Sequence, residues 1–215
     1  ATSNIGTGAN DVPTNADVRN PLNRIVNPSM AISQEKGFGT QVISTNSTVY
    51  IADEVATYNA SASGVVIQSS FNDLAGTKGA RLTATTASTN LTGTLVAGQV
   101  LQQLERYNVL DLDNGNVAVA FICKTNWTGK LSIAFRTGDA TKTYVTDVDV
   151  VAGINQVFKV IPFEVDTVSS QAAENGIGLY MYTGLNNEGT FQQSAANNDA
   201  WQTGFFGCSD ESTQW

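Results

Sequence analysis

Three acidic pairs in this sequence have a spacing that suits catalysis: Asp53 with Glu54, Asp111 with Asp113, and Asp147 with Asp149. Histidine is absent, which removes the commonest general base, the usual partner of a serine nucleophile, and the commonest metal ligand. Acid–base work would therefore fall to carboxylates. Asp147 and Asp149 leave one strand on the same side, and two carboxylates so placed could flank a glycosidic bond. The same spacing more often marks a solvated sheet face whose charge discourages edge-to-edge association. None of the pairs sits in a pocket motif, so no residue is expected to be catalytic.

Binding chemistry has more to draw on. Trp127 lies in a polar turn, and Tyr182 and Trp201 follow later. These three are the candidate glycan-binding residues, because an aromatic ring offers a flat apolar face to a sugar. The competing reading is that they pack in the core or line a subunit contact, where Tyr and Trp are also enriched. Asp111-Leu112-Asp113-Asn114-Gly115-Asn116 touches the calcium-loop pattern, but the Gly comes one position early and the closing Glu is missing. Turn chemistry accounts for it better. With only Cys123 and Cys208 and no His, a zinc site is not expected. No metal and no cofactor are predicted. Cys123 lies in an apolar strand and reads as a small buried apolar residue, so both thiols are expected to be free.

Charged residues make up 14% of the chain and the net charge is −8. Eleven scattered Lys and Arg do not form the basic patch that phosphate backbones require, so no nucleic-acid partner is expected. The same balance disfavours an anionic membrane surface. No apolar run is long enough for a membrane span, and no signal-peptide core follows Ala1, which suits a protein made in the cytoplasm, or one that leaves by a route needing no export sequence. Thr, Val and Ile are plentiful and favour strands.

The elements that would position these groups are read from alternation. Asn116 to Arg136, NVAVAFICKTNWTGKLSIAFR, predicts two central strands joined by the turn Thr125–Lys130. Val117, Val119, Phe121 and Cys123 share one face, and Leu131, Ile133 and Phe135 repeat the period. Val49–Tyr58 reads as a strand interrupted by Asp53 and Glu54, Val65–Ser69 as a strand, and Phe71–Gly79 as a turn-rich connection. Leu82, Ala84 and Thr86 suggest another strand. Val100–Tyr107 fits a helix face or a strand face, and reads as a strand running into a helical turn at Val109–Leu112. Tyr144–Val151, Val157–Phe163 and Ile177–Tyr182 alternate as strands, the last with Leu179 and Met181 opposite Tyr180 and Tyr182. Gly184–Asp199 is a long polar excursion before Trp201–Cys208. Short strands with turn signals between them predict an all-β antiparallel sandwich, a jelly roll, over residues 23–215. Residues 1–22 are polar, lack periodicity and carry Pro13 and Pro21. They read as an extended N-terminal arm that orders against a partner, or as a disordered tail.

Several stretches, taken together, look like one family. Asn23-Arg24-Ile25-Val26-Asn27-Pro28-Ser29-Met30 with Ile32-Ser33-Gln34-Glu35 resembles the opening segment of modules in tailed-bacteriophage structural proteins. Tyr50–Asp53, Leu112–Lys124, Asn175-Gly176-Ile177-Gly178-Leu179 and Trp201-Gln202-Thr203-Gly204 are similar to later parts of that module. The likeness covers residues 23–207. It departs at Glu54 and Val55, where the family usually has Arg and Trp, and at Trp215, where the family continues into a further strand. The resemblance implies a non-enzymatic virion structural protein with a carbohydrate-binding-like jelly roll. A tail-fibre or receptor-binding component comes first, with a capsid decoration or head-fibre protein as the alternative and a glycan-processing enzyme as a remote one. It further implies a homotrimer, attachment to other virion proteins through the N-terminal arm, a host surface glycan as ligand, and location in the virion after assembly in the host cytoplasm.

Overall fold

Leu131, Ile133 and Phe135 form a strand as their alternation predicts, but its neighbours differ from the expected ones. The computed structural model describes residues 34, 39–43, 47–53, 55–59, 67–74, 77–84, 99–105, 109, 116–117, 119–154, 156–159, 163–164, 176–184 and 191–213. The predicted arm at 1–22 and the pair Asp111 and Asp113 lie outside them. In chain order the strands are β1 (Gln41–Ile43), β2 (Ser47–Ala52), β3 (Val55–Asn59), β4 (Ile67–Leu74), β5 (Thr77–Ala84) and β6 (Gln99–Glu105). They continue as β7 (Asn116–Val117), β8 (Ala120–Cys123), β9 (Gly129–Thr137), β10 (Lys142–Val150), β11 (Gln156–Lys159) and β12 (Phe163–Glu164). The last are β13 (Ile177–Gly184), β14 (Gln192–Gln193), β15 (Trp201–Thr203) and β16 (Cys208–Ser209), with a 3-10 turn at Ala195–Asn197. The protein is a mostly-β, predominantly antiparallel fold.

Seven strands make the main sheet, in the order β15-β10-β9-β13-β6-β3-β2, each pair antiparallel. Smaller groupings are β1-β4-β5, β11-β8, β12-β7 and the parallel pair β14-β16. The central stretch 116–136 is therefore not a hairpin. β8 pairs with β11 and β9 with β10, so Thr125–Lys130 leads from one grouping to another. The true hairpin folds at Asp139, whose carboxylate accepts from Thr137 Oγ1 (2.6 Å) and Thr141 N (3.0 Å), a common use of Asp in turns.

From that turn a single long ladder runs outward. Gly129↔Val150 is followed by Cys123↔Gln156, with equal lengths of chain on the two arms. Val117↔Phe163 comes next, with one residue more on the returning arm. The β6–β13 pairing closes outside it, from Glu105↔Ile177. Two shorter nests precede it: β1–β4 encloses the hairpin β2–β3, and β3–β6 encloses the hairpin β4–β5. The expected turn-rich connection Phe71–Gly79 is thus mostly strand, and Val49–Tyr58 is a hairpin broken at Asp53 rather than one strand. Val100–Tyr107 is strand through Glu105, which settles its ambiguous period in favour of β.

Ile133 and Ala134 point to opposite faces of β9, and both are 0% exposed, so the sheet is covered on each side there. One face carries Leu104, Ile133, Phe135, Tyr144 and Leu179, with Val119, Phe121, Met181 and Trp201 packed against them. The other carries Ala134, Val145 and Tyr182, under Phe205 and Phe206. Along β8 and the following loop, half-buried Phe121 and Cys123 alternate with exposed Ile122 and Lys124, as the period requires. Both cysteines are free, as expected. Cys208 is the buried one; Cys123 is half-buried, and that burial raises its thiol pKa. No helix among the described residues is long and apolar enough to cross a membrane.

Candidate functional site

Asp147 and Asp149 do share a face of β10, but the structure gives them different lives. Asp149 is 85% exposed and holds only a loose contact with Lys130 at 3.8 Å. Asp147 is half-buried and fully engaged. Its Oδ1 accepts from Ser132 Oγ at 2.5 Å. Its Oδ2 accepts from Ser209 Oγ at 2.6 Å and from Asn198 Nδ2 at 2.8 Å. The solvated-face reading therefore holds for Asp149 and fails for Asp147.

The rest of the network explains why. Ser209 N donates to Ser132 Oγ (3.1 Å), and Glu211 N donates to Ser209 Oγ (3.2 Å). Gln193 Nε2 donates to Asn198 Oδ1 (2.9 Å). Because the carboxylate takes the Asn198 amide nitrogen, the Asn198 oxygen must face Gln193; the amide orientations follow from one another. Ser132, Ser209 and Gln193 are all buried. The chain from Phe191 to Thr213 is thereby fastened across the sheet as a strap, with Thr213 N also donating to Lys130 O (2.9 Å). Chemically this is a clamp. The serine hydroxyls are committed to an acceptor, and no imidazole is present to activate them.

The remaining candidates are dispersed. Asp53 accepts from the backbone of Gln34 at 2.9 Å; its predicted companion Glu54 lies outside the described residues. Trp127 is half-buried in the loop before β9, where its carbonyl accepts from Thr125 Oγ1 (2.6 Å). Trp201 lies in an edge strand opposite Tyr144, their ring centres 5.8 Å apart, on the face that packs under Val119 and Phe121. Tyr182 is opposite Ala134 on the other face and is 7% exposed. Trp201 and Tyr182 thus lie on opposite sides of the sheet, and the three predicted glycan residues do not converge on one platform. Among the described residues, no three of Cys, Asp and Glu gather closely enough to hold a metal ion.

The face that holds Tyr182 brings together residues not singled out as a site. Across five strands the register aligns Gln202, Thr143, Arg136, Tyr180 and Gln103. Side chains directly opposite one another in such a row lie about 5 Å apart. Tyr180 stacks on Tyr182, the ring centres 6.0 Å apart and the planes 15° from parallel. The Arg136 guanidinium lies 4.4 Å from the centre of the Phe205 ring and donates to Ala140 O through Nη2 (3.0 Å). Phe205 meets Tyr182 (5.6 Å) and Phe191 (5.7 Å). The sequence signal for this cluster was the shared phase of Tyr180 and Tyr182; Arg136 ends an apolar run and gave none.

Two phenols are perturbed. Burial pushes Tyr182 up to about 12, an effect that the hydrogen bond and charge of Arg136 partly oppose. Burial also pushes Tyr144 up to about 12, and the carboxylate of Asp199, 3.3 Å from its hydroxyl, adds to the rise. Both phenols are neutral at physiological pH, serving as apolar bodies with a hydrogen-bonding tip. No family model, no curated protein and no solved structure matches this chain.

Proposed function

We propose that this chain is a non-enzymatic structural protein of a tailed-bacteriophage virion, a tail-fibre or receptor-binding component built on a carbohydrate-binding-like jelly roll. The observation that carries the reading is the long folded ladder. A jelly roll is a long antiparallel hairpin rolled so that successive segments fall alternately in two sheets. Here β9–β10 and β6–β13 belong to the main sheet, while β8–β11 and β7–β12, between them along the ladder, do not. Val119 and Phe121 packing against the main-sheet core supports a second layer over that face. A ladder rolled in this way would suit the jelly roll that the resemblance over residues 23–207 implies. Asp147, saturated by three donors, supports binding rather than hydrolysis.

In this reading residues 1–22 attach the protein to other virion proteins, three copies associate, and the sandwich meets a host surface glycan. Cryo-electron microscopy of the intact particle tests it. Density for the domain at the tail periphery is the expected result. Density on capsid three-folds or between hexons would make it a decoration protein instead. Absence of the chain from purified particles, or measurable glycan hydrolysis by the pure protein, would overturn the reading.

A further inference from the structure

The row across the Tyr182 face points to a ligand site distinct from the one predicted at Trp127, Tyr182 and Trp201. We propose that Tyr180, flanked by Arg136 and Gln103, is the platform on which this domain binds a neutral pyranose. This rests on the reading of the domain as a glycan binder and names where the sugar goes.

Three observations lead there. First, Tyr180 is half-buried. Its ring runs near-parallel to that of Tyr182, the centres 6.0 Å apart, and Tyr182 in turn meets Phe205. The residue two positions earlier is Gly178, which brings no side chain to this face of the strand. Second, the neighbours of Tyr180 in register are a guanidinium on β9 and a primary amide on β6, both half-buried. A pyranose presents a C–H face to an aromatic ring and hydroxyls at its edge, and Arg and Gln supply donors and an acceptor for those. Third, Phe205 lies against the Arg136 guanidinium, and Tyr180 and Gln103 follow Arg136 in the same row. A ring platform with a few fixed polar groups is how small-ligand sites are ordinarily made. The neutral class follows from charge: with a net −8 the chain repels anionic sugars at long range, and the polar partner beyond Arg136 is an uncharged amide.

The test is a titration of the full isotope-labelled chain, followed by backbone amide NMR, with the methyl glycosides of glucose, galactose, mannose and N-acetylglucosamine, each to about 100 mM, enough to saturate a site with a Kd on the order of 1 mM. Adenosine is titrated in parallel as a flat aromatic probe. The expected result is saturable movement of the amides of Gln103, Arg136 and Tyr180 with at least one glycoside. Affinity falls at least tenfold in Tyr180→Ala, is retained in Tyr180→Trp, and falls severalfold in Gln103→Ala. Unchanged amide spectra away from the site show that each variant remains folded. No saturable binding by any glycoside overturns the proposal. So does binding that survives Tyr180→Ala and is lost in Trp127→Ala, although that result leaves a glycan-binding domain standing. Tighter binding of adenosine at the same amides overturns the saccharide assignment.

Discussion

Replacing Asp147 by Ala should loosen the strap while leaving the main sheet formed. The carboxylate accepts three hydrogen bonds, and hydrogen bonds to charged groups contribute about 1.5–3 kcal/mol each. The losses do not add: the serine hydroxyls rotate toward other partners, and Asp147 is only half-buried. A net cost of about 3 kcal/mol is therefore expected, dominated by the Asn198 amide, which loses its carboxylate acceptor and cannot turn to another partner as a hydroxyl does. For a chain of this size that lowers the thermal midpoint by roughly 6–12 °C. Asp149→Ala is the control, since its carboxylate is 85% exposed and such changes stay within about 0.5 kcal/mol. Hydrogen exchange adds location. The amides of Ser209 and Glu211, which donate to serine hydroxyls of the network, should exchange much faster in Asp147→Ala, while those of β9 and β10 change little. Equal melting of the two variants, or uniform loss of protection, would refute the claim that this carboxylate holds the strap.

Alkaline titration should find Tyr144 and Tyr182 ionising late, near pH 12. Their folded pKa lies above the unfolded value of about 10, so their contribution to stability is intact below pH 10 and is lost as pH rises through 12; tyrosinate absorbance with parallel denaturant melts checks this. Gly138→Ala should destabilise by about 1–3 kcal/mol or more, because an added Cβ would overlap the Ile177 carbonyl oxygen and break the Gly138 N to Gly178 O bond at 3.0 Å; a urea midpoint no lower than that of the parent would contradict it. Deleting residues 1–22 should abolish attachment to particles yet leave a cooperative melt, measured by co-sedimentation and calorimetry.

Alternation made much of the sheet legible. Leu131, Ile133 and Phe135, then Tyr144 and Val148, then Leu179 and Met181 all take the side their phase predicts, because a strand offers only two faces. Alternation says nothing about which strand lies alongside. Thr125–Lys130 has the length and polarity of a hairpin turn, and only the register with β10 and β11 reveals that it is a bend in a longer ladder. The acidic pair shows the same limit. Asp147 and Asp149 are indistinguishable by spacing, and what separates them is Ser209 and Asn198, far along the chain. Around Gln193, Ser209 and Ser212 the strap is polar and without period, so their burial leaves no apolar signal and rests on hydrogen bonds. Residue type alone singles out Trp127, Tyr182 and Trp201, and type does not place two of them on opposite sides of a sheet.

The nested ladder also implies a route by which the molecule assembles. Once the turn at Asp139 closes, each further pair forms beside one already made, so partners as remote in sequence as Glu105 and Ile177 meet across short effective loops rather than by search. Zippering of this kind makes the order of assembly a property of register. One residue inserted within β9 would reverse the faces of every pair outward of it, so tolerance to insertion should be found at the bends and at the Asp139 tip, and nowhere along the arms.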